Sequence, residues 1–353
     1  MAEDATPVPA WQAMTEAQVR RWEEVLGGVA EMLPPGPACV VVDGAARQSA
    51  IVADRLAATL RAAGRPCTRL SDANPPADED EWYADRASGT VAIADGERWR
   101  THPPQDRWDV QIWLRTRDTG DRAKENAEAD ADIIVDVHDA AWPVIRHVRP
   151  HLADHDRWYI PESRAFFGPR AATWDTKFGD DMPAYAAAIK ESRLPRDGVV
   201  VDVGCGTGRA LPALRDAVGP DGRVIALDLS PEMLGQARAH GRAEHARLVI
   251  GDARRLPLAG ASVDAVFAAG LIMHLPDTGA GLHELARVTR PGGLLMLFHP
   301  SGRAALAARH GRTLSPGEPL AETPLRRSLD ETGWKLTCYD DPAHRFLAIA
   351  TRR

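Results

Sequence analysis

Residues 199–230, VVVDVGCGTGRALPALRDAVGPDGRVIALDLS, constrain the fold more than any other stretch of this chain. Val199 to Val203 is an apolar, β-branched run interrupted only by Asp202, and it reads as a buried parallel strand. The strand runs into a turn with three glycines, Gly204, Gly206 and Gly208. Leu211, Leu214 and Val218 follow at helical spacing, and residues 224–227 form a second strand that ends in Asp228. Glycine lets backbone approach a ligand with no Cβ in the way. An acid about twenty residues past the last glycine can take the two hydroxyls of a ribose. The unit therefore predicts a nucleoside-containing cofactor at the carboxyl edge of a parallel sheet.

Dinucleotide-binding domains share this logic. Here, however, the glycines are spaced G-x-G-x-G, and Asp202 precedes them inside the strand. The remaining elements follow in order. GDARRLPL (residues 251–258) ends a third strand with Asp252, positioned to meet an adenine amino group. Residues 262–277, SVDAVFAAGLIMHLPD, read as a fourth strand and its loop. Residues 283–298, HELARVTRPGGLLMLF, read as a helix, a Pro-Gly-Gly turn and a fifth strand. The tail, from residue 328, reads as a helix and two antiparallel strands.

This series resembles the class I S-adenosylmethionine-dependent methyltransferases over residues 174–353, in particular the small-molecule branch with the ubiquinone and menaquinone methyltransferases. The resemblance implies a Rossmann-like α/β sheet and S-adenosylmethionine as cofactor. It implies cofactor contacts from Gly204, Cys205, Gly206, Gly208, Asp228, Leu229, Asp252, Ala253 and Ala269. Cys205 stands there as a small side chain, not as a nucleophile. The segment before the glycine turn, residues 156–192, is rich in aromatics and arginine and is expected to fold over the cofactor as a lid. Trp174 is placed on the cofactor, Tyr185 on the substrate, and Phe178 is a further lid residue. Arg164 and Arg170 could meet an anionic group, whereas Phe166 and Phe167 are read as joining the two domains.

The methyl group of such a cofactor is already activated, so the protein must align a nucleophile, exclude water and, where needed, remove a proton. His274, in LIMHLPD after the fourth strand, is the candidate base. His299 and Arg303, in LFHPSGR after the fifth, are substrate-side candidates.

The first half, residues 1–155, has a different pattern. Thr15 and Gln18 are spaced as a capping box before a helix with Val19, Trp22, Leu26, Val29 and Leu33 on one face, and Pro34 to Pro37 end it. Residues 38–70 then read strand, turn, helix, strand. Together with residues 108–116 and 129–148 they resemble uridine kinase-like P-loop proteins, the latter segments as later strands and the closing helix. A phosphate loop needs glycines to bare its amides and a lysine to reach the phosphates. This turn, Gly44-Ala45-Ala46-Arg47-Gln48-Ser49, lacks the second glycine, and no lysine precedes Lys124. Asp72, where such a kinase carries a base, is equally a turn residue. The expected domain is a degenerate, pseudokinase-like α/β fold kept for packing, dimerisation or substrate binding.

The chain is thus read as two α/β domains, residues 1–155 and 156–353. Its net charge of −7, with no basic patch interleaved with aromatics, argues against nucleic acid. No apolar run approaches a membrane span, and residues 1–14 lack the layout of a secretory signal. Cys39, Cys67, Cys205 and Cys338 are too scattered for a disulfide framework or a zinc site. The expectation is a soluble cytoplasmic enzyme, a possible homodimer, that methylates a small molecule of specialised metabolism and uses no metal. Two alternatives stay open at this point: a regulatory protein that binds the cofactor without turnover, and a bifunctional kinase–methyltransferase.

Overall fold

A computed structural model describes residues 13–45, 47–70, 89–103, 108–116, 122–152, 157–311 and 313–353, with the side chains of residues 122, 123, 177 and 178 left out. It divides into two compact units, Met1–Glu162 and Ser163–Arg353.

The first unit opens with α1 (Glu16–Met32). Thr15 Oγ1 accepts the Gln18 N–H, and Gln18 Oε1 accepts the Thr15 N–H, so the capping box forms. Trp22, Val25, Leu26 and Val29 are buried along one face, and the helix stops before Pro34. Six strands follow: β1 (Ala38–Asp43), β2 (Cys67–Arg69), β3 (Val91–Asp95), β4 (Val110–Arg115), β5 (Ile133–Asp136) and β6 (Val144–Val148). They form one sheet in the order β2-β3-β1-β4-β5-β6, with all neighbours parallel except β5 and β6. The helices α2 (Arg47–Ala62), α3 (Glu97–Thr101) and α4 (Arg122–Asp130) connect the strands. Residues 144–148 correct the expectation of a closing helix. Pro143 and the β-branched Val144, Ile145 and Val148 suit an edge strand, and they pair antiparallel with β5.

The division between the units falls within α5 (Tyr159–Phe167). The second unit continues with a 3₁₀ turn (Gly168–Thr173), α6 (Trp174–Phe178) and α7 (Met182–Ser192). Its sheet comprises β7 (Val199–Val203), β8 (Arg223–Asp228), β9 (Arg247–Ile250), β10 (Val263–Ala269), β11 (Thr289–His299), β12 (Trp334–Asp340) and β13 (Phe346–Arg352). Their order is β12-β13-β11-β10-β7-β8-β9. The five strands from β9 to β11 are parallel, and β13 lies antiparallel between β11 and β12. Helices α8 (Leu211–Val218), α9 (Pro231–Ala239), α10 (Thr278–Val288), α11 (Arg303–Arg309) and α12 (Glu322–Glu331) complete the unit.

The Pro-Gly-Gly segment does not separate a helix from a strand. It is an outward loop inside β11, where the register jumps from Val263↔Thr289 to Ala265↔Leu294. Phe267, Met296, Phe298, Val200 and Leu214 share one buried cluster. The parallel arrangement brings the ends of β7, β8, β9, β10 and β11 to one edge. That edge carries the glycine turn, Asp228, Asp252, Ala269 and His299. Among the described residues, no helix is long and apolar enough to cross a membrane.

Candidate functional site

The turn after β7 holds Gly204, Gly206 and Gly208 at φ of +73°, +54° and +79°, a region where a side chain is strained. The N–H groups of Gly204 and Cys205 both donate to the Leu227 carbonyl, at 2.8 and 3.0 Å, and so fasten the turn to β8. A Cβ on Gly208 would stand 2.9 Å from Leu211, whereas one on Gly206 would meet nothing within 4 Å. Gly208 is therefore required by packing, and Gly206 faces open space.

Asp228 stands beside that space. Its Oδ2 accepts the Gly206 N–H at 2.7 Å, and its Oδ1 accepts the Ser230 N–H at 2.9 Å. A carboxylate offers about four acceptor positions, so both oxygens keep one for a ligand hydroxyl. Burial raises the pKa of Asp228 above the usual carboxylate range, against the opposing backbone donors. One strand away, Asp202 is buried, and its Oδ2 has no hydrogen-bond partner. Burial first, and the Asp228 charge second, push its pKa well above the ordinary value. Sequence reasoning used Asp202 as a motif marker and gave it no role. Cys205 is buried, and burial holds it as a thiol, in keeping with a small turn residue.

On the far side of the turn, Asp252 is already engaged. Its Oδ1 accepts the Arg254 N–H at 2.9 Å, and its Oδ2 lies 2.8 Å from the Arg254 guanidinium. Any contact with an adenine amino group is thus shared with Arg254. The Leu229 carbonyl accepts from Arg164 at 3.1 Å, which ties α5 to the end of β8. Ala253 is buried and Ala269 half-buried at the same edge.

The segment around α6 is fastened to the turn by charge. Thr207 Oγ1 donates to Asp175 Oδ1, and Arg242 lies 2.6 Å from Asp175 Oδ2. Arg242 also donates to the Thr207 carbonyl at 2.9 Å. Arg209, itself buried, pairs with Asp181 and donates to the Gly179 carbonyl at 2.8 Å. Burial opposes ionisation of Asp175, yet the bonds from Thr207 and Arg242 leave its carboxyl below the usual range. Sequence reasoning missed this network, because the acids and their arginines lie 28 to 67 positions apart and no local motif links them.

His274 sits in a 3₁₀ turn after β10 (Ile272–His274). Its ring lies 5.1 Å from Phe167, edge to face, and 6.2 Å from Phe166. Phe167 in turn lies 5.7 Å from Trp174. The structure therefore gives Phe166 and Phe167 a place beside His274. Arg170 is taken up by Phe166, stacking 4.2 Å from its ring and donating to its carbonyl. The side chain of Phe178 lies outside the described residues.

Three expected substrate contacts have other partners. Tyr185 packs 4.8 Å from Phe298 and 6.2 Å from Phe267, so its ring belongs to the core beneath the turn. Burial raises its phenol pKa. Arg303 pairs with Glu318 at 3.3 Å and Asp341 at 3.4 Å and reaches Tyr339 Oη, so its charge is already matched. His299 faces the backbone of Ser301 through Nδ1, and burial together with Arg309 and His310 lowers its pKa, which favours the neutral ring.

In the first unit, the turn after β1 is filled from within. Gly44 has φ +105°, and a Cβ there would stand 2.9 Å from the Trp113 ring and 2.5 Å from the Leu114 carbonyl. Asp43, at the end of β1, lies 2.7 Å from Arg100, and Asp95, at the end of β3, lies 2.6 Å from Arg69. Ala46 and Asp72 lie outside the described residues.

Residues 201–297 match a family model described as a methyltransferase domain. The malonyl-[acyl-carrier protein] O-methyltransferase of Hahella chejuensis is 36% identical over 149 residues, which is 41% of this chain and 52% of that protein. The demethylmenaquinone methyltransferase of Geobacillus stearothermophilus is 38% identical over 116 residues, 32% of this chain and 50% of that one. The chain thus spans about half the length of these curated relatives. A solved S-adenosylmethionine-dependent methyltransferase from Aquifex aeolicus is 24% identical, with a TM-score of 0.41 over 48% of this chain and 89% of that one.

Proposed function

We propose that this chain, whose residues 201–297 form a methyltransferase domain with S-adenosylmethionine as methyl donor, transfers the methyl group to a small-molecule acceptor at the carboxyl edge of the second sheet. The observation that carries the reading is the glycine turn with Asp228 and the orphaned Asp202 oxygen beside the open space at Gly206. These groups fit the cofactor: an acceptor for ribose hydroxyls, a bare backbone for close approach and a buried carboxyl with an unpartnered oxygen for a polar or cationic group. When bound, the cofactor supplies an activated methyl group. Asp228 holds the ribose, with Leu229 and Ala253 alongside, and Asp252 serves the base edge in concert with Arg254. Phe166, Phe167, Trp174 and the pinned α6 segment keep water from the mouth of the site. His274 receives the proton of a hydroxyl acceptor.

The first unit is proposed as a P-loop-like fold without phosphoryl transfer. In its support, the β1–α2 turn lies in the middle of a parallel sheet, yet it has no lysine and Trp113 packs against it. An acid that would otherwise hold a metal, Asp95, is matched by Arg69.

The test is S-adenosylhomocysteine release by the purified full chain with a panel of phenolic, quinol, amine and carboxylate acceptors. Acceptor-dependent release supports the enzyme. Tight cofactor binding with no release against any acceptor favours the regulatory alternative.

A further inference from the structure

The amino edge of the second sheet, opposite the glycine turn, holds a cavity of about 380 Å3. It arises because β9 starts late. β8 begins at Arg223, but its pairing with β9 begins only at Ile225↔Arg247, so Arg223 and Val224 run past the start of β9. The chain before β9 leaves through a 3₁₀ turn (Arg242–His245), and α8 ends at Val218 ahead of Gly219 and Gly222. Val224, Ile225 and Ala246 line the space between them. The charged lining is Arg215, Arg223, Arg247 and His245, with Glu244 as its one acid; Asp216 and Asp221 do not line it. Arg215 is turned onto the carbonyls of Gly219 and Gly222. Arg223 and Arg247 are exposed, and among the described residues neither has a carboxylate partner. Arg242, Arg254, Arg287 and Arg345 of the same unit each meet an acid.

We propose that this cavity is a binding site for a phosphate monoester, a small molecule that carries one phosphate on an apolar body. Three arginines against one glutamate leave a surplus of two positive charges. A phosphate monoester carries about −1.5 to −2 at neutral pH and matches that surplus, whereas a carboxylate matches half of it. Guanidinium N–H groups meet phosphate oxygens two at a time, so several arginines can share one phosphate. The like charges repel one another within the cavity, and a bound anion relieves that repulsion. Cavities that hold small ligands measure about 300–1,000 Å3, so this one has room for more than the phosphate. Val224, Ile225, Ala246 and the arginine stems offer the rest of the ligand an apolar surface. The site is separate from the cofactor edge. Arg223 and Asp228 are the two ends of β8, about 16 Å apart at 3.3 Å per residue.

The test is calorimetric titration of the full chain with phenyl phosphate at neutral pH and fixed ionic strength, beside benzoate and inorganic phosphate. One phenyl phosphate should bind per chain and raise the melting temperature by a few degrees near saturation. Benzoate has the same ring and a single charge, and it should bind at least about tenfold more weakly. Equal affinity for benzoate overturns the charge match and the proposal with it. Inorganic phosphate lacks the apolar body and should bind about three- to tenfold more weakly. Equal affinity there overturns the ester in favour of the free ion. Arg223→Gln combined with Arg247→Gln should weaken phenyl phosphate at least about tenfold. Both side chains are exposed, so without ligand the doubly substituted protein should melt no lower than the parent. Affinity retained in that variant places the ligand elsewhere and overturns the proposal, as does an absence of phenyl phosphate binding to the unaltered protein at about 10 mM. The comparison of the three ligands on the unaltered protein decides the matter even if the variant unfolds.

Discussion

Burial of Asp202 without a donor has a consequence for stability as well as for binding. Its folded pKa lies above its unfolded value, so between the two the folded state binds more protons. Stability contributed by this group is therefore highest in acid and falls as pH rises through the usual carboxylate range. Asp202→Asn should raise the melting temperature of the ligand-free protein by a few degrees at neutral pH and by little near the unfolded pKa of about 4; differential scanning fluorimetry at both pH values checks this, and a gain independent of pH would argue against an ionisation cost. Asp228 acts in the opposite sense on function. Its charge-assisted bonds to ribose hydroxyls are worth about 1.5–3 kcal/mol, so Asp228→Ala should weaken cofactor binding about ten- to a hundredfold. Unchanged affinity by calorimetry would remove it from the site. For His274 the readout is turnover. A positioned base contributes about 10²–10⁴-fold, so His274→Ala should cut kcat with a hydroxyl acceptor by at least a hundredfold and leave cofactor affinity near the parent value. Its contacts with Phe166 and Phe167 set the rival outcome: a change within about threefold would make the ring part of the aromatic wall and nothing more.

At the scale of elements, the segment from α6 to the start of α7 is tied to the glycine turn and its surroundings by charge, beside the Trp174 ring on Phe167. Asp175 bridges Thr207 and Arg242, and Asp181 meets Arg209. Asp175→Ala should loosen this cover. The expected result is a three- to tenfold loss of cofactor affinity, on the order of one hydrogen bond to a charged group, and faster proteolytic cleavage within residues 174–182. Affinity lost without faster cleavage would point to a direct ligand contact instead. Such pairings also mark the limit of what the chain discloses when read as letters. Strands β7, β8 and β10 and the glycine turn were legible because β-branched runs and turn glycines act locally. The fate of an arginine is decided by which carboxylate the fold brings to it. Glu318 and Asp341 lie 15 and 38 residues from Arg303, and nothing near Arg303 announces either. Tyr185 was misplaced for a related reason, since α7 turns it toward Phe298 and not toward the mouth of the site. The loop inside β11 escaped notice because Pro-Gly-Gly commonly ends an element, and only pairing with β10 shows that the strand resumes.

Across the whole molecule, the two units place their polar groups differently. The second keeps an unmatched acidic pair at its carboxyl edge, whereas the first neutralises Asp43 and Asp95 with Arg100 and Arg69. A purified full chain should accordingly show no metal-dependent ATP hydrolysis; stoichiometric nucleotide binding with turnover, lost on Arg47→Ala, would overturn the proposed role of the first unit. The strand order of the second unit also governs the sequence of events during synthesis. β13 lies between β11 and β12, so residues 346–352 supply the hydrogen bonds to both neighbours. Until they emerge from the ribosome, β11 presents an open, apolar edge next to the strand that leads to His274. Such an edge recruits other chains. A ribosome that stalls in the hairpin between β12 and β13 would hold a chain with its cofactor residues already made and its sheet still open, an intermediate that a holding chaperone would have to cover.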